Sequence, residues 1–131
     1  MNKKILLTIT LLVTSLTYTA SAQNYSLHAV KSSKEAKQTS GLGAPYLWVG
    51  KSGRFDDPIS VSGSESLKYG NQKACQYAAI KALAKLKKKA RKQNFPIVKN
   101  IHSPNTRPGL YYCHIGFRSA KVKLLGTFTH R

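Results

Sequence analysis

Two cysteines, Cys75 and Cys113, constrain this chain more than any other pair of residues. Each lies in a segment whose apolar periodicity assigns it to a face. From about Asn71 to Gln93, Cys75, Ala79, Ala82, Leu83, Leu86 and Ala90 recur at the 3.6-residue period of a helix and make one apolar stripe. Asn71 follows Gly70 and suits an N-cap, and Pro96 ends the pattern. From Leu110 to Arg118 the chain alternates. Tyr111, Cys113, Ile115 and Phe117 fall on one side of a strand, and Leu110, Tyr112, His114, Gly116 and Arg118 on the other. A bond between the two sulfurs requires the helix to lie across the strand's apolar face. The helix stripe is mostly alanine, so its cover must come close, and a flat sheet fits. The expected fold is α+β: a small antiparallel sheet of three to five strands, one long helix packed on one face, and a helix–strand disulfide.

Whether the sulfurs pair depends on compartment. Lys3 and Lys4 open the chain, Ile5 to Tyr18 is an apolar run, and Ala20-Ser21-Ala22 is a small-residue cleavage signal. These are the parts of a secretory signal peptide over residues 1–22, cleaved after Ala22. Gln23 follows, where a lipoprotein would need cysteine. The expected product is periplasmic or secreted, is not a lipoprotein and has no transmembrane segment. An even cysteine count in such a small exported domain reads as one structural disulfide.

The rest of the chain is less sharply patterned. Residues 23–45 are rich in Ser, Lys and Gly and read as a loosely ordered N-terminal arm, with a short strand at Tyr25 to Val30. Residues 46–131 read as a single α+β domain. Within it, Tyr46 to Val49 and Pro58 to Ser62 suit short strands, Gly63 to Gly70 a polar connector, and Phe95 to Ile101 another strand. Ser103 to Gly109 is a turn cluster. Ala120, Val122 and Leu124 then face inward, with Lys121 and Lys123 outward.

Charge bounds the partners. Two of the 22 Lys and Arg residues fall in the signal segment, leaving 20 against Glu35, Asp56, Asp57 and Glu65, a net charge of +16. No acid follows Glu65. Such a surface attracts polyanions, a lipopolysaccharide surface or an acidic protein. The candidate polyanion-binding residues are Lys81, Lys85, Lys88 and Lys92 on the helix, widened by Lys87, Lys89 and Arg91. On the outer sheet face they are Tyr112, His114, Arg118, Lys121 and Lys123, a mixture of rings and cations suited to anionic chains. The plain alternative is a solvated helix face and an ordinary exposed strand pair. The function expected first is a non-enzymatic exported basic domain binding anionic envelope material. An alternative is a periplasmic protein-interaction module, stress-sensing or effector-neutralising. A third is a small secreted ribonuclease, with His102 and His114 as acid and base and Lys99 or Arg118 holding phosphate. No cofactor and no metal site are expected: adjacent Cys113 and His114 point to opposite faces, and no Cys-x-x-Cys or His-x-x-x-His occurs.

Ala74-Cys75-Gln76-Tyr77-Ala78, Ile97-Val98-Lys99-Asn100-Ile101-His102-Ser103 and Tyr111-Tyr112-Cys113-His114-Ile115-Gly116 carry a family resemblance. Over about residues 70–126 the chain resembles small exported proteins of Gram-negative bacteria commonly mislabelled as an excinuclease ATPase subunit. More remotely it is similar to the disulfide-bonded domain of the Rcs stress-sensor lipoprotein and its heavy-metal-binding-like relatives. The resemblance implies a cysteine opening a long helix and a Tyr-x-Cys strand. It implies no activity, and no phosphate-binding Gly-x-x-x-x-Gly-Lys-Ser/Thr loop occurs here. Asn94-Phe95-Pro96 stands where that family has a Gly-Ala step, and this helix is far more basic.

Overall fold

The computed structural model describes residues 24–40, 46–49 and 58–131. The expected signal peptide and the turns around 51–57 lie outside the described residues. In chain order the elements are β1 (Asn24–Ser26), α1 (Leu27–Lys31), α2 (Lys34–Ser40), β2 (Tyr46–Val49) and β3 (Ile59–Ser66). A 3-10 turn (Leu67–Tyr69), α3 (Asn71–Lys92), β4 (Ile97–His102), β5 (Leu110–Ile115) and β6 (Ser119–Thr129) follow.

α3 forms where the alanine-rich period predicts it, but its ends are built differently. The N-cap is Gly70, at φ 95°, and Asn71 is the first helical residue. The chain reverses out of the 3-10 turn here, and only a residue without Cβ takes that φ at little cost. At the other end Asn94 adopts φ 62°. The Phe95 N–H reaches the Ala90 carbonyl and the Asn94 N–H the Arg91 carbonyl, the paired bonds of a Schellman stop. The helix therefore ends before Pro96 is reached, with Asn94 in the left-handed position glycine commonly fills.

β6 is the spine of the sheet. One of its edges pairs antiparallel with the whole of β3. Its other edge is shared: β5 pairs with residues 120–122, and β4 with 125–129. β4 and β5 are thus collinear pieces of one column, with the 103–109 turn looped out between them. β1 adds antiparallel to β5, and β2 adds parallel to β4. The described sheet has six strands, beyond the expected three to five, and one of its pairings is parallel.

α3 packs mainly on β3 and β6. The alanine stripe permits backbone-close approach, and Gly63 in β3 completes it. A Cβ at Gly63 would sit 2.1 Å from the Ala78 carbonyl oxygen and 2.8 Å from the Ala82 nitrogen. Gly63 to Ser66 is accordingly strand, not the polar connector expected. Ala74, Ala78, Ala79, Ala82, Leu83 and Leu86 join Val61, Val98, Ile101, Ala120, Val122 and Leu124 in one core. Cys75 and Cys113 are bonded inside it, with a Cα–Cα separation of 5.7 Å. The helix, the sheet and their cross-link thus stand as the two periodicities require.

Residues 24–40, within the segment expected as a loose arm, form strand and helix. Only Asn24–Ser26 is strand; residues 27–31 and 34–40 are helical. Leu27, Val30 and Ala36 are buried in the common core. Tyr25 stacks on Tyr111 with ring centroids 5.3 Å apart, and the Leu27 N–H donates to the Gly109 carbonyl. β1 is thus held on β5, and α1 and α2 pack on α3, despite the segment's polar composition.

β5 also ends earlier than the alternation suggests. Phe117 and Arg118 lie in the turn between β5 and β6, closed by the Gly116 N–H on the Ser119 carbonyl. Phe117 is 93% exposed rather than facing the core.

Candidate polyanion-binding grooves

β3 has β6 on one side and, among the described strands, none on the other. An open edge presents unpaired carbonyls, and α3 supplies lysines to them. Lys85 Nζ donates to the Ser62 carbonyl at 2.5 Å. Lys81 Nζ donates to the Ser64 carbonyl at 3.2 Å and pairs with Glu65 Oε2 at 3.0 Å. The hydrogen bond from Lys81 holds the Glu65 carboxyl below the usual carboxylate range, helped by the Ser66 backbone N–H. Lys81 is therefore bound to the strand edge and its acid.

Four helix lysines form one wall of a groove of about 460 Å³. Lys85, Lys88, Lys89 and Lys92 face Ser60, Val61 and Ser62 across it. Lys88, Lys89 and Lys92 make no ion pair among the described residues. Lys87, expected on the exposed stripe, is only 6% exposed. Burial lowers its proton affinity, and Arg91 and Lys31 lower it further.

A second groove, of about 450 Å³, lies on the face of the sheet away from α3. Tyr112, His114, Lys121 and Lys123 line it, with Ser62, Ser103, Pro104 and Asn105. Strand register sets this order: His114 opposes Lys121, which opposes Ser64, and Lys123 opposes Ser62. Buried Ser103 fixes the neighbouring rung. Its hydroxyl donates to the Lys123 carbonyl at 2.7 Å and accepts the Tyr112 N–H at 2.9 Å. It thus stands between β5 and β6 where a direct ladder bond would run. Thr106 donates to the Ser103 carbonyl at 2.7 Å and pins the turn that carries Pro104 and Asn105. Asn100 and Asn105 hold φ of 56° and 61°, left-handed positions that asparagine tolerates better than most residues. The Asn-Ile-His-Ser step is therefore structural: Asn100 makes the irregularity in β4, Ile101 is buried, and Ser103 clasps two strands.

Seven of the nine candidate residues line the grooves: Lys85, Lys88 and Lys92 in the first, and Tyr112, His114, Lys121 and Lys123 in the second. Lys81 caps the strand edge. Arg118, expected beside Tyr112, lies in the turn, where its guanidinium is 5.9 Å from the Phe117 ring centroid. Ser62 lines both grooves and was not singled out from sequence. The one hint of it was the alternation of small polar residues along Pro58 to Ser62.

The histidines do not converge. His102 is opposite Leu125 and His114 opposite Lys121 on the same edge of β6. Their partners on β6 are four residue steps apart, about 13 Å, well beyond the hydrogen-bond reach of two groups serving one phosphate. His102 Nδ1 instead lies 2.7 Å from the Ser103 carbonyl oxygen. Among the described residues no cluster of three or more His, Cys, Asp and Glu gathers, and no helix is long and apolar enough to cross a membrane. No family model, curated protein or solved structure matches this chain.

Proposed function

We propose that this chain is a non-enzymatic, exported basic domain that binds anionic polymers of the cell envelope through the two grooves. The observation that supports the reading is their arrangement: two cation-lined channels on opposite sides of β3 meet at one exposed serine, Ser62. An extended polyanion passes over the strand edge from one to the other. The nearby acid, Glu65, is already paired with Lys81. Export is supported by the signal-like N-terminus and by the disulfide, which persists in oxidising compartments. The same reading keeps the proposed kinship with small exported Gram-negative proteins of the excinuclease-labelled group.

The test is retention on heparin and binding of lipopolysaccharide across a salt series. Charge-driven contact gives a linear fall of log affinity with log salt. Changing Lys88 and Lys92 to Glu, or Lys121 and Lys123 to Glu, is expected to weaken binding about tenfold or more and flatten the salt slope by roughly one per lost contact. Lys34→Glu with Lys37→Glu, on α2, makes the same change in net charge away from the grooves. Equal losses from all three pairs would reduce the effect to net charge and overturn the proposal. A stoichiometric, salt-resistant protein partner would favour the interaction-module alternative.

A further inference from the structure

The end of the molecule that lines neither groove carries a separate pattern. There the β5–β6 turn and the 3-10 turn are bonded side by side, the Leu67 N–H donating to the Arg118 carbonyl at 3.2 Å. Each turn displays an exposed aromatic ring next to a cation. Phe117 is 93% exposed with Arg118 beside it. Tyr69 is 63% exposed, with Lys68 Nζ 4.9 Å from its ring centroid. Glu65, Lys73 and Tyr77 border a depression of about 270 Å³ against Tyr69. Neither Phe117 nor Tyr69 belongs to the core cluster.

A phenyl ring so fully in water adds nothing to the apolar core. Its turn is closed by hydrogen bonds, so the ring is presented on ordered backbone rather than on a loose loop. A ring at the tip, a tyrosine set back from it and flanking cations form a pattern matched to the boundary of a lipid bilayer. The apolar ring enters, the amphipathic ring stays at headgroup level, and the cations meet phosphates. A second copy of this end would bring Lys68, Lys73 and Arg118 against their own like charges. The nearby described acid, Glu65, is held by Lys81. Charge complementarity therefore selects an anionic surface.

We infer that this end is a docking surface for an anionic lipid bilayer, with Phe117 as the inserting side chain and Lys68, Lys73 and Arg118 as headgroup contacts. The inference goes beyond the groove reading and uses none of the residues that line the grooves.

The experiment uses vesicles of phosphatidylcholine alone and of phosphatidylcholine with phosphatidylglycerol. Phe117→Trp in a Trp48→Phe background places the single indole at the tip. Its emission is expected to shift to the blue and to be quenched by brominated acyl chains with anionic vesicles only. In the otherwise unchanged protein, Phe117→Asp is expected to lower partitioning about tenfold or more. Arg118→Gln and Lys68→Gln are each expected to lower it about fivefold, the effect of one cation near an anionic surface. Heparin retention is expected to be unchanged in Phe117→Asp, which separates this surface from the grooves. Unshifted emission from co-sedimenting Phe117→Trp protein, or wild-type partitioning of Phe117→Asp, would overturn the inference. A shift of Phe117→Asp from dimer to monomer with unchanged partitioning would assign the tip to self-association instead.

Discussion

A single methyl group placed at Gly63 tests the contact on which the packing of α3 depends. Its Cβ would lie 2.1 Å from the Ala78 carbonyl oxygen, 2.8 Å from the Ala82 nitrogen and 3.1 Å from the Lys81 Cβ. A carbon–oxygen contact settles at about 3.3 Å or more, so helix and strand must separate by roughly 1.2 Å. The first two atoms are helix backbone and cannot rotate aside. α3 must instead move as a body, against the disulfide one turn away at Cys75. Overpacking costs about 1–3 kcal/mol in ordinary cores, and a clash with two backbone atoms belongs at or above that upper limit. For a domain of this size, about 3 kcal/mol lowers Tm by roughly 12 °C or more. That is a large share of a total stability of about 5–15 kcal/mol.

The assay is thermal and urea unfolding followed by circular dichroism with the disulfide intact, run on three glycines together. At Gly116 the nearest atom to a new Cβ is the Ser119 carbonyl oxygen at 3.4 Å, and the expected change is within about 0.5 kcal/mol. At Gly70 nothing lies within 4 Å, but φ is +95°, so alanine is expected to cost about 1–2 kcal/mol through the backbone alone. The predicted order of damage is Gly63, then Gly70, then Gly116. Gly63→Ala protein as stable as Gly116→Ala protein would refute the close approach of α3 to β3.

Three further outcomes are expected. Replacing both Cys75 and Cys113 with alanine removes a cross-link of sequence separation 38 and should cost about 4 kcal/mol, read as a lower urea midpoint that reducing agent no longer changes. Ser103→Ala strands the Tyr112 N–H and the Lys123 carbonyl and should cost about 3 kcal/mol, with faster amide exchange at Tyr112. Burial, with Tyr25 stacked beside it, pushes the Tyr111 phenol up to about 12. Between its ordinary value of about 10 and about 12 the unfolded chain has lost that proton while the folded one keeps it, so stability should fall as pH rises through this window. Tyr111→Phe should flatten that fall, and tyrosinate difference absorbance reports the late titration directly.

The parts of the fold that were legible in sequence are those where side-chain chemistry repeats with a period. The stripe of Cys75, Ala79, Ala82, Leu83, Leu86 and Ala90 had a single solution, and the alternation around Cys113 had another; together they place the disulfide. The period failed where no residue marks its end. Gly116 falls in phase with the alternation, so the pattern runs on through Phe117 and Arg118 although the chain has already turned. It failed again before β3, where Leu27, Val30 and Ala36 are too few to stand out among Ser and Lys yet reach the core. In the run Lys87-Lys88-Lys89 the identities are uniform. Lys87 borders the apolar stripe, and Lys31, at the end of α1, lies close enough to lower its proton affinity. The grooves were half legible: the lysine face follows from helix period, but which lysine reaches the strand edge depends on how α3 seats over β3. That seating is set by the space at Gly63 and is not written in α3 itself.

The charge on α3 can then be weighed as a structural matter. The helix holds eight Lys or Arg residues and no acid. Lys81 with Lys85, Lys85 with Lys89, Lys87 with Arg91 and Lys88 with Lys92 stand at the i, i+4 spacing. Each like-charge pair there costs about 0.2–0.5 kcal/mol, roughly 1–2 kcal/mol together. The negative end of the helix dipole offsets part of this in the last turn. Lys81 and Lys85 offset more of it by bonding to the Ser64 and Ser62 carbonyls, which also blocks the open edge of β3. No such described bond compensates Lys88, Lys89 and Lys92, and they line the first groove. Cations that repel one another without an internal partner favour any state in which an anion lies between them. On the proposed function, binding there and folding would be coupled: a polyanion in the groove would stabilise the folded chain by its own occupancy and by relieving a repulsion that the alanine stripe, Gly63 and the disulfide otherwise hold in place.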